Sequence, residues 1–148
     1  MHGDMATLLP PAPRPDRALE VALYAADLTA TAAFYERVLG LERGPEVPGR
    51  HVFFRLGVGM LLLFNPEASA QPSGNPDLPV PPHGAVGPGH LCLAADRVHI
   101  AAWAARLRAA GVEIEAEFDW PNGARSLYFR DPAGNSIEFA EPGLWSRD

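Results

Sequence analysis

The second half of this chain repeats the pattern of the first half. The matching segments are, in chain order, EVAL (20–23) with HLCL (90–93), FR (54–55) with FR (129–130) and, with one residue skipped in the intervening turn, MLLLFNP (60–66) with SIEFAEP (136–142). A pattern that recurs once indicates two related modules packed by pseudo-symmetry, because a solenoid needs three or more repeats. The repeat therefore restricts the fold to two copies of one small unit.

Each copy is predicted to contain one strand, one helix and about three further strands. Extended apolar runs indicate the strands, and apolar residues at helical spacing that end at a glycine indicate the helices. The predicted elements are a strand at 18–25, a helix at 28–40 and two strands within 51–66, followed by a strand at 89–95, a helix at 99–111, a strand at 112–118 and a hairpin within 124–142. This alternation predicts an α+β fold.

We divide the chain into a flexible N-terminal arm (1–17), a first module (18–66), a proline- and glycine-rich connection (67–88) and a second module (89–145). Proline lacks a donor for a β ladder, so the connection is not expected to form regular elements. It is long enough to be a linker, a lid over an active site, or both. His83 either closes over the site with this segment or is a solvated loop histidine.

Composition excludes several classes of function. The net charge of −6 argues against a nucleic-acid partner. No apolar run is long enough to span a membrane, and the first residues lack the apolar core of a signal peptide, so we expect a cytoplasmic protein. All twelve basic residues are arginine, which excludes lysine Schiff-base chemistry and a P-loop. The single cysteine, Cys92, has no intrachain partner, and we expect it to be buried and inert.

Three segments resemble the vicinal oxygen chelate superfamily, which includes glyoxalase I, extradiol dioxygenases and bleomycin-binding proteins. They are LEVALYAADLTATAAFYERVLGL (19–41), GPGHLCLAAD (87–96) and YFRDPAGNSIEFAEP (128–142), and the likeness extends over about 18–145. The resemblance implies two pseudo-symmetric βαβββ modules whose curled mixed sheets enclose a shared, metal-bearing cavity. It also makes a homodimer plausible, since the sheets have open edges.

The resemblance implies that metal ligands lie on the first and last strands of each module. In this chain those positions are Glu20, where many members have histidine, His90 and Glu138. The fourth position is Leu62, where many glyoxalase-type members carry glutamate. One imidazole and two carboxylates suit Mn, Fe(II) or Mg better than Zn or Cu(I), although Ni, Co and Zn remain open. Three ligands on one side would leave positions for substrate or oxygen.

The residues themselves allow a second interpretation of these three positions. Strand alternation places Glu138 on one face of SIEFA, and a carboxylate on a core-facing strand needs a partner. An exposed strand face is the alternative for Glu138 and for Glu20. A structural histidine is the alternative for His90, but its alignment with Glu20 under the repeat favours a ligand. If His90 is a ligand, its second ring nitrogen is expected to donate a hydrogen bond to a group that does not itself bind the metal.

Hairpin geometry and the repeat also predict which side chains line the cavity. Tyr128 should pair with Glu138, with Ser126 on the same face, and His51, Phe53 and Leu62 occupy the matching places in the first module. Tyr128 could donate a hydrogen bond to a metal-bound oxygen and His51 could act as a general base. Core packing is the alternative for Tyr128, and a surface strand end is the alternative for His51.

Further substrate contacts are predicted around the turn that follows the second strand of the second module. Trp120 could stack on a flat substrate, and Asn122 and Arg125 could hold an anionic group. An arginine on the sheet surface is the alternative for Arg125.

The function predicted from these residues is a small metal-dependent enzyme, a lyase, isomerase or dioxygenase, acting on a small oxygen-bearing molecule. The alternative is a metal-free protein that sequesters a drug or metabolite in the same groove. A pure binder has no need for carboxylates at positions 20 and 138 facing His90.

Overall fold

Two four-stranded β-sheets, one from each half of the chain, form the framework of the protein. The computed structural model describes residues 9–147. The first half contains β1 (Glu20–Tyr24), α1 (Leu28–Arg37), β2 (Arg43–Val47), β3 (His51–Leu56), β4 (Gly59–Phe64) and the single turn α2 (Pro66–Ser69). The second half contains β5 (His90–Ala94), α3 (Arg97–Ala109), β6 (Ile114–Asp119), β7 (Arg125–Arg130), β8 (Ser136–Ala140) and a 3₁₀ helix (Pro142–Trp145). The predicted α+β class is confirmed.

The two sheets have the same topology. Their strand orders are β1-β4-β3-β2 and β5-β8-β7-β6. In each sheet the first strand of the module pairs in parallel with the last strand, and the other pairings are antiparallel. The registers match the internal alignment, because Phe53 lies opposite Leu62 and Tyr128 lies opposite Glu138. The sheets are curled and do not close into a barrel.

Both long helices begin at an aspartate cap. The Asp27 carboxylate accepts a hydrogen bond from the backbone N–H of Ala30 at 3.0 Å, which satisfies one of the free donors of the first helical turn. The Asp96 carboxylate caps α3 in the same way, at 2.8 Å from the N–H of His99. Helix α3 therefore begins at Arg97, two residues before the predicted start.

One face of each sheet packs on the helices in a single hydrophobic core. Strand alternation directs one set of apolar side chains inward, and the same cluster includes residues of α1 and α3. Its fully buried members include Ala32, Tyr35, Phe54, Leu61, Leu63, Ile100, Leu107, Leu127, Phe129 and Ile137. The rings of Phe34 and Phe129 lie 6.2 Å apart across the two halves. The core thus joins the two modules.

A buried polar network also crosses between the modules. The Tyr35 hydroxyl donates to the Asp131 carboxylate at 2.7 Å, and the Asn135 amide donates to the same carboxylate at 2.9 Å. Asn135 also donates to the carbonyl of Tyr24 and accepts from the N–H of Gly89. The predicted turn residues of the second hairpin therefore hold the first module as well as their own turn.

The connection and the arm lie outside the sheets. Residues 1–8 of the predicted arm lie outside the described residues, and residues 9–17 form no helix or strand. The connection contains no strand and begins with the single turn of α2. Within residues 9–147, no helix is long and apolar enough to cross a membrane.

Candidate functional site

The face of each sheet that points away from the helices carries the candidate functional residues. On the second sheet these are His90, Cys92, Ser126, Tyr128 and Glu138, which alternate with the core residues of the same strands. Glu138 is only 4% exposed although it carries a carboxylate. Burying a carboxylate is costly unless it has partners, so its contacts define the site.

A relay of hydrogen bonds holds the Glu138 carboxylate. The Ser126 hydroxyl donates to Glu138 Oε2 at 2.6 Å. The Trp120 indole Nε1–H donates to the same Ser126 oxygen at 2.7 Å. Ser126 is fully buried and Trp120 is half-buried. The relay therefore fixes Oε2, and the other oxygen, Oε1, takes no part in it.

His90 faces this other oxygen. Its Nε2 lies 3.3 Å from Glu138 Oε1, and its Nδ1 lies 2.9 Å from the carbonyl oxygen of Ser136. A carbonyl only accepts, so Nδ1 carries a proton and donates it. In the neutral imidazole, the Nε2 lone pair then faces a carboxylate oxygen. This arrangement calls for a proton or a cation between the two atoms.

Tyr128 and Cys92 complete the polar face of the second sheet. Partial burial and the neighbouring Glu138 carboxylate raise the pKa of Tyr128 to about 12 and that of Cys92 to about 12. Both groups are therefore protonated near neutral pH, and Tyr128 can act as a hydrogen-bond donor. The prediction that Cys92 is buried is wrong, because the residue is exposed on this face. Its raised pKa nonetheless keeps the thiolate population small.

The corresponding face of the first sheet forms the floor of a cavity of about 750 Å³. Four predicted residues, Glu20, His51, Phe53 and Leu62, all line it. The other lining residues are Ala22, Tyr24, Arg50, Met60, Phe64 and, from the connection, Ser73, Val80 and His83. The volume suits a small organic molecule.

His51 is neutral in this cavity at physiological pH. Its ring stacks on Phe53 with centroids 4.1 Å apart. Burial and the nearby Arg50 guanidinium lower the pKa of His51 below its usual value. Its Nδ1 is buried and has no hydrogen-bond partner among residues 9–147. The lowered pKa favours the neutral imidazole, which can accept a proton from a ligand only at its other ring nitrogen, because Nδ1 is buried.

The structure separates Glu20 from the other two predicted metal ligands. His90 and Glu138 lie together on the second sheet, whereas Glu20 lines the first-sheet cavity, whose lining includes no residue of the second sheet. Within the described part of the chain, no group of three or more His, Cys, Asp or Glu side chains could hold a metal ion. One chain therefore presents a pair of candidate ligands on one sheet and a single candidate ligand on the other.

The two residues predicted to hold an anion have partners within the protein. The Arg125 guanidinium lies 2.9 Å from an Asp119 oxygen and 3.3 Å from a Glu117 oxygen. The Asn122 amide donates to the carbonyls of Gly143 and Leu144. An anion at Arg125 would have to compete with two carboxylates.

The sequence leaves two roles open for His83 and does not predict Tyr24 as a site residue. The Tyr24 hydroxyl and His83 Nδ1 are 2.6 Å apart in a hydrogen bond, and the His83 ring packs edge-on against Phe64 with centroids 4.4 Å apart. Tyr24 and Phe64 follow from strand alternation, since they share a face with Glu20 and Leu62 respectively. His83 comes from the connection, where no periodicity places a side chain.

The fold and the polar sheet face define a class of small two-module proteins with open, curled sheets. The chain belongs to the Glyoxalase/Bleomycin resistance protein/Dioxygenase superfamily, whose family model matches residues 17–139. A comparison with curated proteins finds no match.

Solved structures of the same fold are numerous. The chain is similar to lactoylglutathione lyase from Agrobacterium tumefaciens, with 47% sequence identity, a TM-score of 0.84 and coverage of 89% of this chain and 98% of that one. A glyoxalase/bleomycin resistance protein/dioxygenase from Nocardioides is 26% identical, with a TM-score of 0.70 and coverage of 92% and 88%. The fosfomycin resistance protein of Listeria monocytogenes shares the fold. It is 19% identical, with a TM-score of 0.63 and coverage of 88% of this chain and 97% of that one.

Proposed function

We propose that this chain is a small metal-dependent enzyme of the glyoxalase and dioxygenase type, acting on a small molecule that presents oxygen atoms to a divalent cation. The arrangement of His90 and Glu138 carries the proposal. His90 Nδ1 donates to the Ser136 carbonyl and Glu138 Oε2 accepts from Ser126, so Nε2 and Oε1 are left facing each other at 3.3 Å. A fixed tautomer with an outer acceptor is the usual environment of a metal-binding histidine.

We propose that the third ligand, Glu20, comes from a second copy of the chain. Metal–ligand bonds are near 2.0–2.2 Å, so three ligands must converge on one point. In one chain Glu20 lies on the first sheet and the His90–Glu138 pair lies on the second. A twofold homodimer can place the first sheet of one copy against the second sheet of the other, which would form two equivalent sites.

The residues around this site have separable roles. A bound cation would supply Lewis-acid polarisation of a substrate oxygen. Tyr128, which stays protonated because its pKa is raised to about 12, donates a hydrogen bond to that oxygen. His51, which lines the cavity and has a lowered pKa, accepts a proton from the substrate at the ring nitrogen other than the buried Nδ1. Phe53 and Leu62 exclude water from the reacting atoms.

The similarity to lactoylglutathione lyase at 47% identity supports lyase chemistry as one form of this activity. Leu62 is the first-module counterpart of Glu138 in strand register, and its side chain carries no ligating atom. A metal site in this chain would therefore have three protein ligands and keep more positions open for substrate.

Metal analysis of reconstituted protein tests the metal site. Purified protein is loaded separately with Mn²⁺, Fe²⁺, Ni²⁺, Zn²⁺ and Mg²⁺, and bound metal is measured beside Glu138→Ala and the control Glu113→Ala. Glu113 is exposed and belongs to the same module. Bound metal should be lost in Glu138→Ala and retained in Glu113→Ala. If the unmodified protein binds none of these ions, or Glu138→Ala binds as well, the proposal fails.

A mixing experiment tests the origin of the third ligand. Glu20→Ala and His90→Ala should each lose metal binding alone. When equal amounts are refolded together, half of the dimers are mixed and each mixed dimer has one intact site, so about a quarter of the original binding should return. If the ligands came from one chain, no recovery would occur.

The alternative function, metal-free sequestration, rests on the first-sheet cavity. That cavity is lined mainly by rings and aliphatic side chains, with Glu20 as its single carboxylate. A protein that binds organic ligands but none of the five ions would be assigned this function instead.

A further inference from the structure

Five aromatic rings form a continuous wall at one end of the first-sheet cavity. Phe53 and Phe64 meet edge to face at 5.4 Å, and His51 stacks on Phe53 at 4.1 Å. His83 packs edge-on against Phe64 at 4.4 Å, and Tyr24 lies 6.1 Å from Phe64. All five side chains line the cavity. Such a wall favours a flat π-system, which can stack on one ring while its edge meets another.

The same end of the cavity carries an arginine without an acidic partner. The Arg50 guanidinium donates to the carbonyls of Ala68 at 2.8 Å and Gln71 at 3.2 Å. Within residues 9–147, no carboxylate lies within ion-pair distance of Arg50. These two bonds fix the guanidinium and leave further N–H donors and a full positive charge. Arg125, by contrast, is bound by two carboxylates.

The other end of the cavity carries a negative charge. Glu20 and Tyr24 are four residues apart on β1, which corresponds to about 13 Å along a strand. Ala22 and Leu62 lie between them, opposite one another in the register. The cavity thus has an acidic end, an apolar middle and a ring-lined end with a cationic arginine.

We infer that this cavity binds a flat aromatic acid, with the ring against Phe53 and Phe64 and the acidic group toward Arg50. The opposite end of the ligand then points toward Glu20. This inference rests on the proposed function, because Glu20 lines this cavity and is also a proposed metal ligand. It adds the class of substrate. An aromatic ring with an anionic group matches both features of the ring-lined end, since an arginine fork pairs well with a carboxylate.

Equilibrium binding of matched probes tests the inference. The probe 2-naphthoate is flat and anionic, 2-naphthamide is flat and neutral, and decahydro-2-naphthoate is anionic but not flat. Titration calorimetry at pH 7.5 should show 2-naphthoate binding about tenfold tighter than either of the other two. Equal affinity for 2-naphthoate and 2-naphthamide would overturn the role of Arg50. Equal affinity for 2-naphthoate and the saturated acid would overturn the role of the rings.

Two variants assign the preference to this cavity. Arg50→Gln should bring the affinity for 2-naphthoate down to that for 2-naphthamide. The control Arg55→Gln should keep the preference, because Arg55 lies within β3, the strand that Arg50 precedes, but is exposed and beside Glu42. Phe53→Leu should lower the affinity for 2-naphthoate to that for decahydro-2-naphthoate. The comparison of probes on the unmodified protein needs no variant, so loss of folding in Arg50→Gln would not decide the outcome.

Titrations with and without Mn²⁺ separate this inference from the proposed function. If the probe preference holds in chelator-treated protein and no metal binds, the metal-dependent function falls and the aromatic-acid site stands. If metal binds through Glu138 but the three probes bind equally, the aromatic-acid site falls and the metal-dependent function stands.

Discussion

Ser126→Ala is the most informative single substitution at the candidate site. The Ser126 side chain is fully buried, and its oxygen takes part in two short hydrogen bonds. It donates to Glu138 Oε2 at 2.6 Å and accepts from Trp120 Nε1–H at 2.7 Å. The substitution removes one oxygen atom and leaves two polar groups without this partner, while the β7–β8 ladder is unaffected.

The magnitude follows from those two bonds. A buried donor left without an acceptor costs about 1–3 kcal/mol, and a hydrogen bond to a charged group contributes about 1.5–3 kcal/mol. Relaxation of the Trp120 ring recovers part of the loss, so we expect Ser126→Ala to lower the free energy of unfolding by about 2–4 kcal/mol. For a chain of this size, that corresponds to a fall in Tm of about 6–12 °C.

Urea unfolding of metal-free protein measures this loss and its coupling to Trp120. Trp120→Phe removes the indole donor and some packing against Phe118, and the hydrogen-bond part of its cost should disappear when Ser126 is already alanine, because the bond no longer exists. The control is Ser136→Ala, at the start of β8, the strand that pairs with β7 in this hairpin. It should change the free energy of unfolding by less than about 0.5 kcal/mol. A comparably small loss in Ser126→Ala, or additive losses in the double variant, would refute the relay.

Three further predictions concern stability. Tyr35→Phe removes the buried donor to Asp131 and should cost about 1.5–3 kcal/mol in urea unfolding; an unchanged midpoint would contradict a linking role between the modules. The pKa of Tyr128 is raised from 10.0 to about 12 in the folded protein, so the stability it contributes is present below pH 10 and is lost as the pH rises through about 12. Tyr128→Phe should flatten the alkaline fall in unfolding midpoints, and an equally steep fall would count against the shift. Gly59→Ala would place a Cβ 2.6 Å from the Leu19 carbonyl oxygen, so the backbone must move, and calorimetry should show a loss of about 1–3 kcal/mol; an unchanged Tm would exclude this contact.

The pairing of residues across the β-strands could be predicted from the sequence, because it depends on strand alternation and on the internal repeat. Strand alternation and the aligned segments place Tyr128 opposite Glu138 and Phe53 opposite Leu62, as the registers show. Strand β2 was not located in advance, because Gly44 and Pro45 interrupt its pattern. Proline is tolerated there since β2 is an edge strand, and its register shifts between Arg43 and Glu46.

The contents of each sheet face could be predicted, but their partners could not. Alternation assigns Glu20 and Glu138 to polar faces, yet only tertiary packing decides that these faces are separate in one chain. The same limit applies to the arginines. The two carboxylates that pair with Arg125 lie on the neighbouring strand β6, and the two carbonyl oxygens that accept from Arg50 lie in the connection, so both sets of partners depend on how segments pair and pack.

The strand orders have a consequence for how the chain could be divided. Each sheet is made of consecutive strands, and in the described residues no strand of one sheet pairs with a strand of the other. A cut within the connection, for example between Gly74 and Asn75, would therefore break no β ladder. The two fragments would still share the apolar core and the Tyr35–Asp131 bond. The molecule is thus suited to assembly from two separately made fragments, in which noncovalent packing replaces the covalent link.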